Sequence, residues 1–295
     1  MDLSAERSVE YLCLRQHWVQ LIPSLVMMIS LVGFLVYVFT LPKTDFAHVH
    51  LTPETVAIAH DSDELLASEI LTTDGFLEID AERTTPGSIH YIHKVGTSSH
   101  HSTVIFIHGN DQSFQSAEYW DSLTTRILEE KIKVRSTVAI SFFGYGRSVG
   151  PRTLPSSKQL IGFLSHHDCP IKKSDDLILV ARSAGAQVLL NADLSHVGSI
   201  GIILIAPVIP PAQLRKRSTL LLDPPSIFDI PLLIFFNPLD KATTDIQVFK
   251  DVWRASVYIE MIEYNASPKE MHLPELMHPH LFISALDEFV ESLTR

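Results

Sequence analysis

The chain has 295 residues, of which 46% are hydrophobic and 19% charged, a composition that excludes a disordered protein and suffices for a large core. Its net charge of −11 argues against a nucleic-acid partner, because such a partner requires a basic face. The two cysteines, Cys13 and Cys169, are too few for a disulfide framework and leave the redox compartment open.

The first predicted element is a membrane-spanning helix at residues 18–41. This stretch contains no charged side chain, and it is longer than the roughly 20 residues that a helix needs to cross the hydrocarbon core. A cleaved signal peptide is the alternative, but the polar lead at 1–17 and the lack of a small-x-small cleavage site disfavour it. The excess of basic residues before the span favours a cytoplasmic N-terminus and a lumenal or extracellular body.

After the span, residues 42–74 are predicted to form a linker with a short helix at 64–69. From 75 to 295, short apolar runs alternate with amphipathic stretches, which predicts one α/β domain with a mostly parallel sheet and helices on both faces. The first strands have no helices between them and should pair antiparallel. The predicted strands are 76–80, 88–94, 102–107, 136–142, 177–180, 200–206, 231–236 and 256–262. The predicted helices are 117–130, 156–164, 184–193, 245–252 and 281–293.

The most informative segment is 177–185, which reads L-I-L-V-A-R-S-A-G. An apolar strand runs into Ser183, its neighbours are small, and a helical pattern follows at once. A serine on such a tight strand-to-helix turn is exposed, and the next backbone N–H, that of Ala184, points the same way and can stabilise an oxyanion. S-x-G tripeptides are common in loops, and Ser183 would also suit a helix N-cap. The other motifs must therefore decide whether Ser183 is catalytic.

Further motifs follow the third and fourth predicted strands, and in open α/β sheets sites lie at the carboxyl ends of strands. The pair 108–109, His-Gly, lets the chain turn tightly and leaves backbone N–H groups free to face an oxyanion. The glycine-spaced turn at 144–148, G-Y-G-R-S, lies beside the same edge.

A carboxylate and a histidine complete the set. Asp240 follows the seventh strand and His272 follows the eighth, so the chain order is Ser183, Asp240, His272. Asp240 has the alternative role of capping the turn that follows it. The rival residues are Asp245 for the carboxylate and His278 and His280 for the base; the two histidines flank Pro279 and are better suited to cap the last helix or to face solvent.

With these motifs in this order, the sequence from Gly75 to the C-terminus resembles the α/β-hydrolase superfamily. Its 108–110 and 144–148 motifs and the Arg182-Ser183 pair are similar to those of membrane-anchored eukaryotic α/β-hydrolase-domain proteins. The chain departs from the pattern at two positions. Ala181 replaces the first glycine of the serine turn, and Asn237 stands where a glycine is commoner after the seventh strand.

The resemblance implies the α/β-hydrolase fold, with a mostly parallel eight-stranded sheet, and acyl-transfer chemistry. Ser183 would attack an acyl carbon, His272 would take its proton, and Asp240 would hold the imidazole in the correct tautomer. The N–H of Ala184 and one from Asn110 or Asp111 would stabilise the oxyanion. No metal or organic cofactor is required, and the partner is a small acyl ester or a lipid.

Other histidines have structural interpretations. His108 is expected to be a hydrogen-bonding residue beneath the oxyanion loop rather than an acid or base. The pair 100–101 and the run 166–169, H-H-D-C, look superficially like metal ligands. They lie in polar loops without a second pair at ligand spacing, so solvated loop residues are the preferred interpretation.

The substrate is the least determined feature. Only 207–229 separates the sixth and seventh strands, where a lid often enters this fold, and this is too short for a large helical cap. We expect a shallow pocket bordered by the apolar segment 220–222. This segment and the basic run 215–217 either contact the bilayer or pack on the domain. A peptidase or an acyltransferase would use the same triad. A catalytically inactive membrane-tethered binding protein is the alternative function, and the oligomeric state is undetermined.

Overall fold

The computed structural model describes residues 70–79, 87–110, 116–130, 132–152, 154–172, 175–195, 197–220 and 226–294. The predicted span at 18–41 and the predicted short helix at 64–69 lie outside these ranges. Within them, no helix combines the length and the apolar character that crossing a membrane requires.

Eight strands form a single sheet in this part of the chain. They are β1 (Leu71–Ile79), β2 (Gly87–Val95), β3 (Ser102–Ile107), β4 (Ser136–Ser141), β5 (Asp176–Arg182), β6 (Ser199–Ile205), β7 (Leu232–Phe236) and β8 (Val257–Met261). Their order across the sheet is β1-β2-β4-β3-β5-β6-β7-β8. Strand β2 runs antiparallel to both β1 and β4, and the other neighbours are parallel. The predicted mostly parallel sheet with an antiparallel start is therefore confirmed.

The helices follow the strands in alternation. They are α1 (Asp121–Glu129), α2 (Ser157–Ser165), α3 (Gly185–Asn191), α4 (Pro211–Leu220), α5 (Ile246–Val252), α6 (Pro268–Met271), α7 (Pro274–Met277) and α8 (Pro279–Leu293). Short 3₁₀ turns at Ala117–Trp120 and Ile227–Asp229 add to them. The helices α4, α6 and α7 were not predicted. Two of them have only one turn, and α4 carries a basic run in place of an amphipathic pattern, so the sequence lacks the usual helical signal.

Helices cover both faces of the sheet, as predicted. Along β3, alternate side chains point to opposite faces, so Ile105 and Ile107 join one buried cluster and Val104 and Phe106 the other. The first cluster includes apolar residues of α2, α3 and α5, and the second those of α1 and α8. A sheet buried on both faces explains why its central strands read as unbroken apolar runs.

The topology also places the loops that carry the candidate residues. Strands β3, β5, β6, β7 and β8 run parallel, so their carboxyl ends lie along one edge. The loops after β3, β5, β7 and β8 therefore meet at this edge, where open α/β sheets bind their ligands.

Candidate active site

Ser183 occupies the tight turn between β5 and α3. Its φ is +52°, a left-handed conformation that costs a non-glycine residue on the order of 1–3 kcal/mol. The turn is fixed to the next strand, because Ser183 N–H donates to the Ile205 carbonyl (2.9 Å) and the Ser183 carbonyl accepts from Val208 N–H (3.2 Å). The backbone is thus held in a strained conformation that leaves the Ser183 side chain partly exposed.

The glycine after the turn is required by a close approach of two backbones. A Cβ on Gly185 would lie 2.7 Å from the His108 carbonyl oxygen, and one on Gly109 would lie 3.0 Å from the Ser183 Cβ. The serine turn and the loop after β3 are therefore in direct contact. This contact places the predicted oxyanion loop beside Ser183.

The three residues predicted as a triad lie within hydrogen-bonding distance in series. Ser183 Oγ is 2.8 Å from His272 Nε2, and His272 Nδ1 is 2.6 Å from Asp240 Oδ2. Because an ionised carboxylate only accepts, Nδ1 carries the proton toward Asp240, and Nε2 is left to accept from the Ser183 hydroxyl. The loops after β5, β8 and β7 supply these residues, as the chain order predicted.

Asp240 is surrounded by hydrogen-bond donors. Its Oδ1 accepts from Ala242 N–H (2.9 Å), and its Oδ2 accepts from the Thr243 hydroxyl (2.7 Å) as well as from His272. Burial acts to raise the pKa of Asp240, but the hydrogen bonds from His272, Thr243 and Ala242 outweigh it and lower that pKa. Asp240 is therefore a carboxylate at neutral pH. The rival Asp245 caps α5, where its Oδ1 accepts from Gln247 N–H (3.0 Å).

Asn237, the unusual residue after β7, has a structural reason to be an amide. It is fully buried. Its Nδ2 donates to the Tyr264 carbonyl (2.8 Å), and its Oδ1 accepts from Leu239 N–H (2.9 Å). One side chain thus shapes the turn that presents Asp240 and joins it to the segment that leads to His272. A glycine would supply the turn but not the link.

His272 directly follows α6 and is held by that short helix. Ser267 and Glu270 form a capping box at its start, and the Tyr264 hydroxyl donates to the Glu270 carbonyl (2.7 Å). The rival histidines lie further along the chain. His278 is at the N-cap position of α8 without a side-chain capping bond, and its ring lies 4.7 Å from that of Tyr264, while His280 lies in the first turn of α8. Of the three, His272 is the one hydrogen-bonded to Ser183.

Of the three residues predicted to supply oxyanion donors, the structure describes Ala184 and Asn110. Ala184 follows Ser183 at the N-cap of α3, and no described residue accepts a hydrogen bond from its backbone N–H. The side chain of Asn110 accepts from the Tyr145 hydroxyl (3.0 Å), which ties the loop after β3 to the turn at 144–148. Asp111 lies outside the described residues.

His108 supports this loop from beneath. It is fully buried, its Nδ1 donates to the Gly109 carbonyl (2.7 Å), and its Nε2 accepts from Phe142 N–H (3.0 Å). Burial lowers the pKa of His108 to about 4, so the ring is neutral at physiological pH. Both ring nitrogens are occupied by backbone groups, which gives His108 a structural role.

The run at 166–168 is the one group of three possible metal ligands found in the described part of the chain, with ligand atoms within 4.8 Å of one another. These atoms already have partners within the loop: the Asp168 backbone N–H donates to His166 Nδ1 (3.1 Å), and His167 Nε2 lies 3.0 Å from Asp168 Oδ2. The loop precedes the amino end of β5 and so lies at the edge opposite Ser183. It has no part in the candidate site.

Sequence reasoning missed three polar side chains behind the triad. Arg182 and Glu275 are fully buried, and Tyr119 is half-buried. The Tyr119 hydroxyl donates to Glu275 Oε1 (2.6 Å), and the Arg182 guanidinium lies 5.2 Å from the centre of the Tyr119 ring. An arginine at the end of the apolar run of β5 was the available signal, because a buried charge requires a partner. The sequence does not reveal partners so distant along the chain.

Comparison with known proteins extends these observations. Residues 104–292 match a sequence model described as the Alpha/beta hydrolase family. Among curated proteins, no sequence matches the chain.

Solved structures share the fold at low sequence identity. Alpha/beta hydrolase domain-containing protein 10 from mouse is 16% identical, with 75% of this chain and 99% of that chain covered and a TM-score of 0.53. A peroxisomal alpha-beta-hydrolase from Saccharomyces cerevisiae is 10% identical, with 76% and 90% covered and a TM-score of 0.55. An esterase from Pyrococcus furiosus is 17% identical, with 75% and 92% covered and a TM-score of 0.50. The match at 104–292 spans more than half of the sequence, and the chain belongs to the alpha/beta hydrolase family.

Proposed function

We propose that the chain is a serine hydrolase that cleaves a carboxylic ester or a thioester through an acyl-enzyme intermediate. The observation that carries the proposal is the hydrogen-bonded series from Ser183 Oγ through His272 to Asp240, with distances of 2.8 and 2.6 Å. Membership of the alpha/beta hydrolase family and the esterase among the structures of the same fold support it.

In the first half of the reaction, Ser183 Oγ attacks the acyl carbon while His272 Nε2 takes the hydroxyl proton. Asp240 keeps the imidazole oriented and stabilises the imidazolium that forms. The Ala184 N–H faces the oxyanion of the tetrahedral intermediate, and one such donor is typically worth about 3 kcal/mol of barrier. The C–O or C–S bond then breaks, and His272 returns the proton to the leaving alcohol or thiol.

In the second half, water attacks the acyl carbon of the ester on Ser183, and His272 Nε2 takes the proton from that water. The second tetrahedral intermediate collapses, the carboxylic acid leaves, and the proton passes back to Ser183 Oγ. Ser183, His272 and Asp240 carry out both halves of the reaction. Neither a metal nor an organic cofactor takes part in these steps.

We also propose a location for this reaction. The uncharged stretch at 18–41 supports an anchor helix with a cytoplasmic N-terminus and the catalytic domain on the lumenal or extracellular side. A tether beside a bilayer favours a lipid-like or acyl substrate over a freely soluble ester.

A pre-steady-state assay of the full-length chain tests the function. With p-nitrophenyl butyrate in excess, we expect a burst of about one nitrophenolate per chain followed by slower turnover, the kinetic sign of an acyl-enzyme. The matched p-nitroanilide is the control, since an esterase cleaves the amide far more slowly. If the chain turns over neither compound, the alternative of a catalytically inactive membrane-tethered binding protein replaces this proposal.

A further inference from the structure

A hydrogen-bonded series of three side chains, Arg182, Tyr119 and Glu275, joins the Ser183 turn to the segment that carries His272. Arg182 is the residue immediately before Ser183, and Glu275, on α7, is three residues after His272. Tyr119 lies between them: its hydroxyl donates to Glu275 Oε1 (2.6 Å) and accepts from Arg182 Nη1 (3.5 Å). The nucleophile turn and the base-bearing segment are thus connected below the surface as well as through the Ser183–His272 bond.

Stability does not explain why these charges are buried. Taking charged groups out of water is costly, and replacing buried charges by apolar residues of similar volume is often neutral or stabilising. Glu275 illustrates the cost, since its Oε2 has no hydrogen-bond partner among the described residues. Burial raises the pKa of Glu275, although the Arg182 charge and the Tyr119 hydrogen bond oppose that rise.

Resting on the proposed hydrolase function, we propose that Arg182, Tyr119 and Glu275 form a positioning network for the triad. The network holds the His272 segment in register with the Ser183 turn. It also places a second negative charge, that of Glu275, near the imidazolium that His272 becomes during acyl transfer.

The charged and titratable groups around Glu275 support the electrostatic part. The Tyr119 hydroxyl contacts Glu275 directly from the 3₁₀ turn, and Arg182, His272 and Tyr264 are near enough for their charges to interact with that of Glu275. Asp240 reaches His272 from the opposite loop, through Nδ1. When Glu275 loses its charge, Arg182 keeps its own, so the imidazolium loses a favourable neighbour and faces an uncompensated cation. Both changes destabilise the imidazolium.

The first test measures the rate of fluorophosphonate labelling of the full-length chain against pH. In Glu275→Gln, which keeps an acceptor for Tyr119, we expect the pH of half-maximal labelling to fall by about one unit, which corresponds to about 1.4 kcal/mol less stabilisation of the imidazolium. Glu263→Gln is the matched control, because Glu263 is exposed in the segment before His272 and its profile should equal that of the wild type.

The second test replaces the whole network. Because an apolar replacement preserves packing and leaves no hydroxyl without its partners, the triple variant Arg182→Met/Tyr119→Phe/Glu275→Leu should unfold at or above the wild-type temperature. Its labelling rate at the optimum pH should fall by about tenfold or more, since misplacing a catalytic group by about 1 Å costs about 10²-fold. If the network has a purely structural role, we expect the reverse, namely lower stability and full reactivity per folded chain.

The outcomes separate the two proposals. A wild-type chain that is not labelled refutes the hydrolase function itself. A labelled wild type, with a Glu275→Gln profile that is unshifted and a triple variant that reacts at the wild-type rate, refutes only the positioning network. A triple variant that fails to fold also counts against it, because the network is then needed for stability.

Discussion

Ser183→Ala is expected to lower kcat for ester hydrolysis by about 10⁶-fold, the loss seen when a triad nucleophile is removed. The loss arises from the missing nucleophile and not from a change in the fold. Alanine fits the same left-handed turn at the same backbone cost as serine, so the fold and the Gly185 contact are preserved, while the only group that bonds to the acyl carbon is absent. The residual rate reflects oxyanion stabilisation and binding alone.

The matched control is Ser195→Ala, which removes an exposed hydroxyl that donates to Asp193 (2.6 Å) at the opposite edge of the sheet. Its kcat should equal that of the wild type. Progress curves with p-nitrophenyl butyrate measure both variants. Ser183→Ala activity within tenfold of the wild type would show that another residue carries the reaction.

Asp240→Asn is expected to lower kcat by about 10⁴-fold with little change in the fold. Asparagine retains the size of the side chain and an oxygen that can accept from Ala242 or Thr243. Its amide, however, donates to His272 Nδ1, so the imidazole proton moves to Nε2. The base then faces Ser183 with a proton instead of a lone pair and has no carboxylate to stabilise its charged form.

Asp245→Asn is the matched control for this change. Asp245 is the other carboxylate of the same loop, and asparagine caps a helix as well as aspartate does, so α5 and the activity should be unchanged. Steady-state kinetics and thermal unfolding of both variants decide between the two carboxylates. Equal losses in the two variants, or a loss confined to Asp245→Asn, would contradict the assignment of Asp240.

The strands and the chain order of the site residues could be predicted because both depend on local features of the sequence. Buried parallel strands require unbroken apolar runs, and the serine turn requires small neighbours. Parallel strands bring their carboxyl ends to one edge, so residues as far apart along the chain as Ser183, Asp240 and His272 were expected to meet. The hydrogen bonds between them follow from this placement.

The features that escaped prediction depend on distant contacts or on weak local signals. The single-turn helices α6 and α7 are set by prolines at their first turn and, for α6, by a capping box, and they are too short for any periodicity. The double role of Asn237 requires knowing that Tyr264 lies beside it. The link from Arg182 through Tyr119 to Glu275 likewise depends on the folded positions of α7 and the 3₁₀ turn.

The most direct measurement maps the site of covalent reaction. The full-length chain is treated with a fluorophosphonate at neutral pH, digested and analysed by mass spectrometry. The predicted result is a single phosphonyl adduct, on Ser183, that is absent from Ser183→Ala and slowed in His272→Gln. An adduct on any other residue, or an unmodified wild-type chain, would contradict the assignment of Ser183 as the nucleophile.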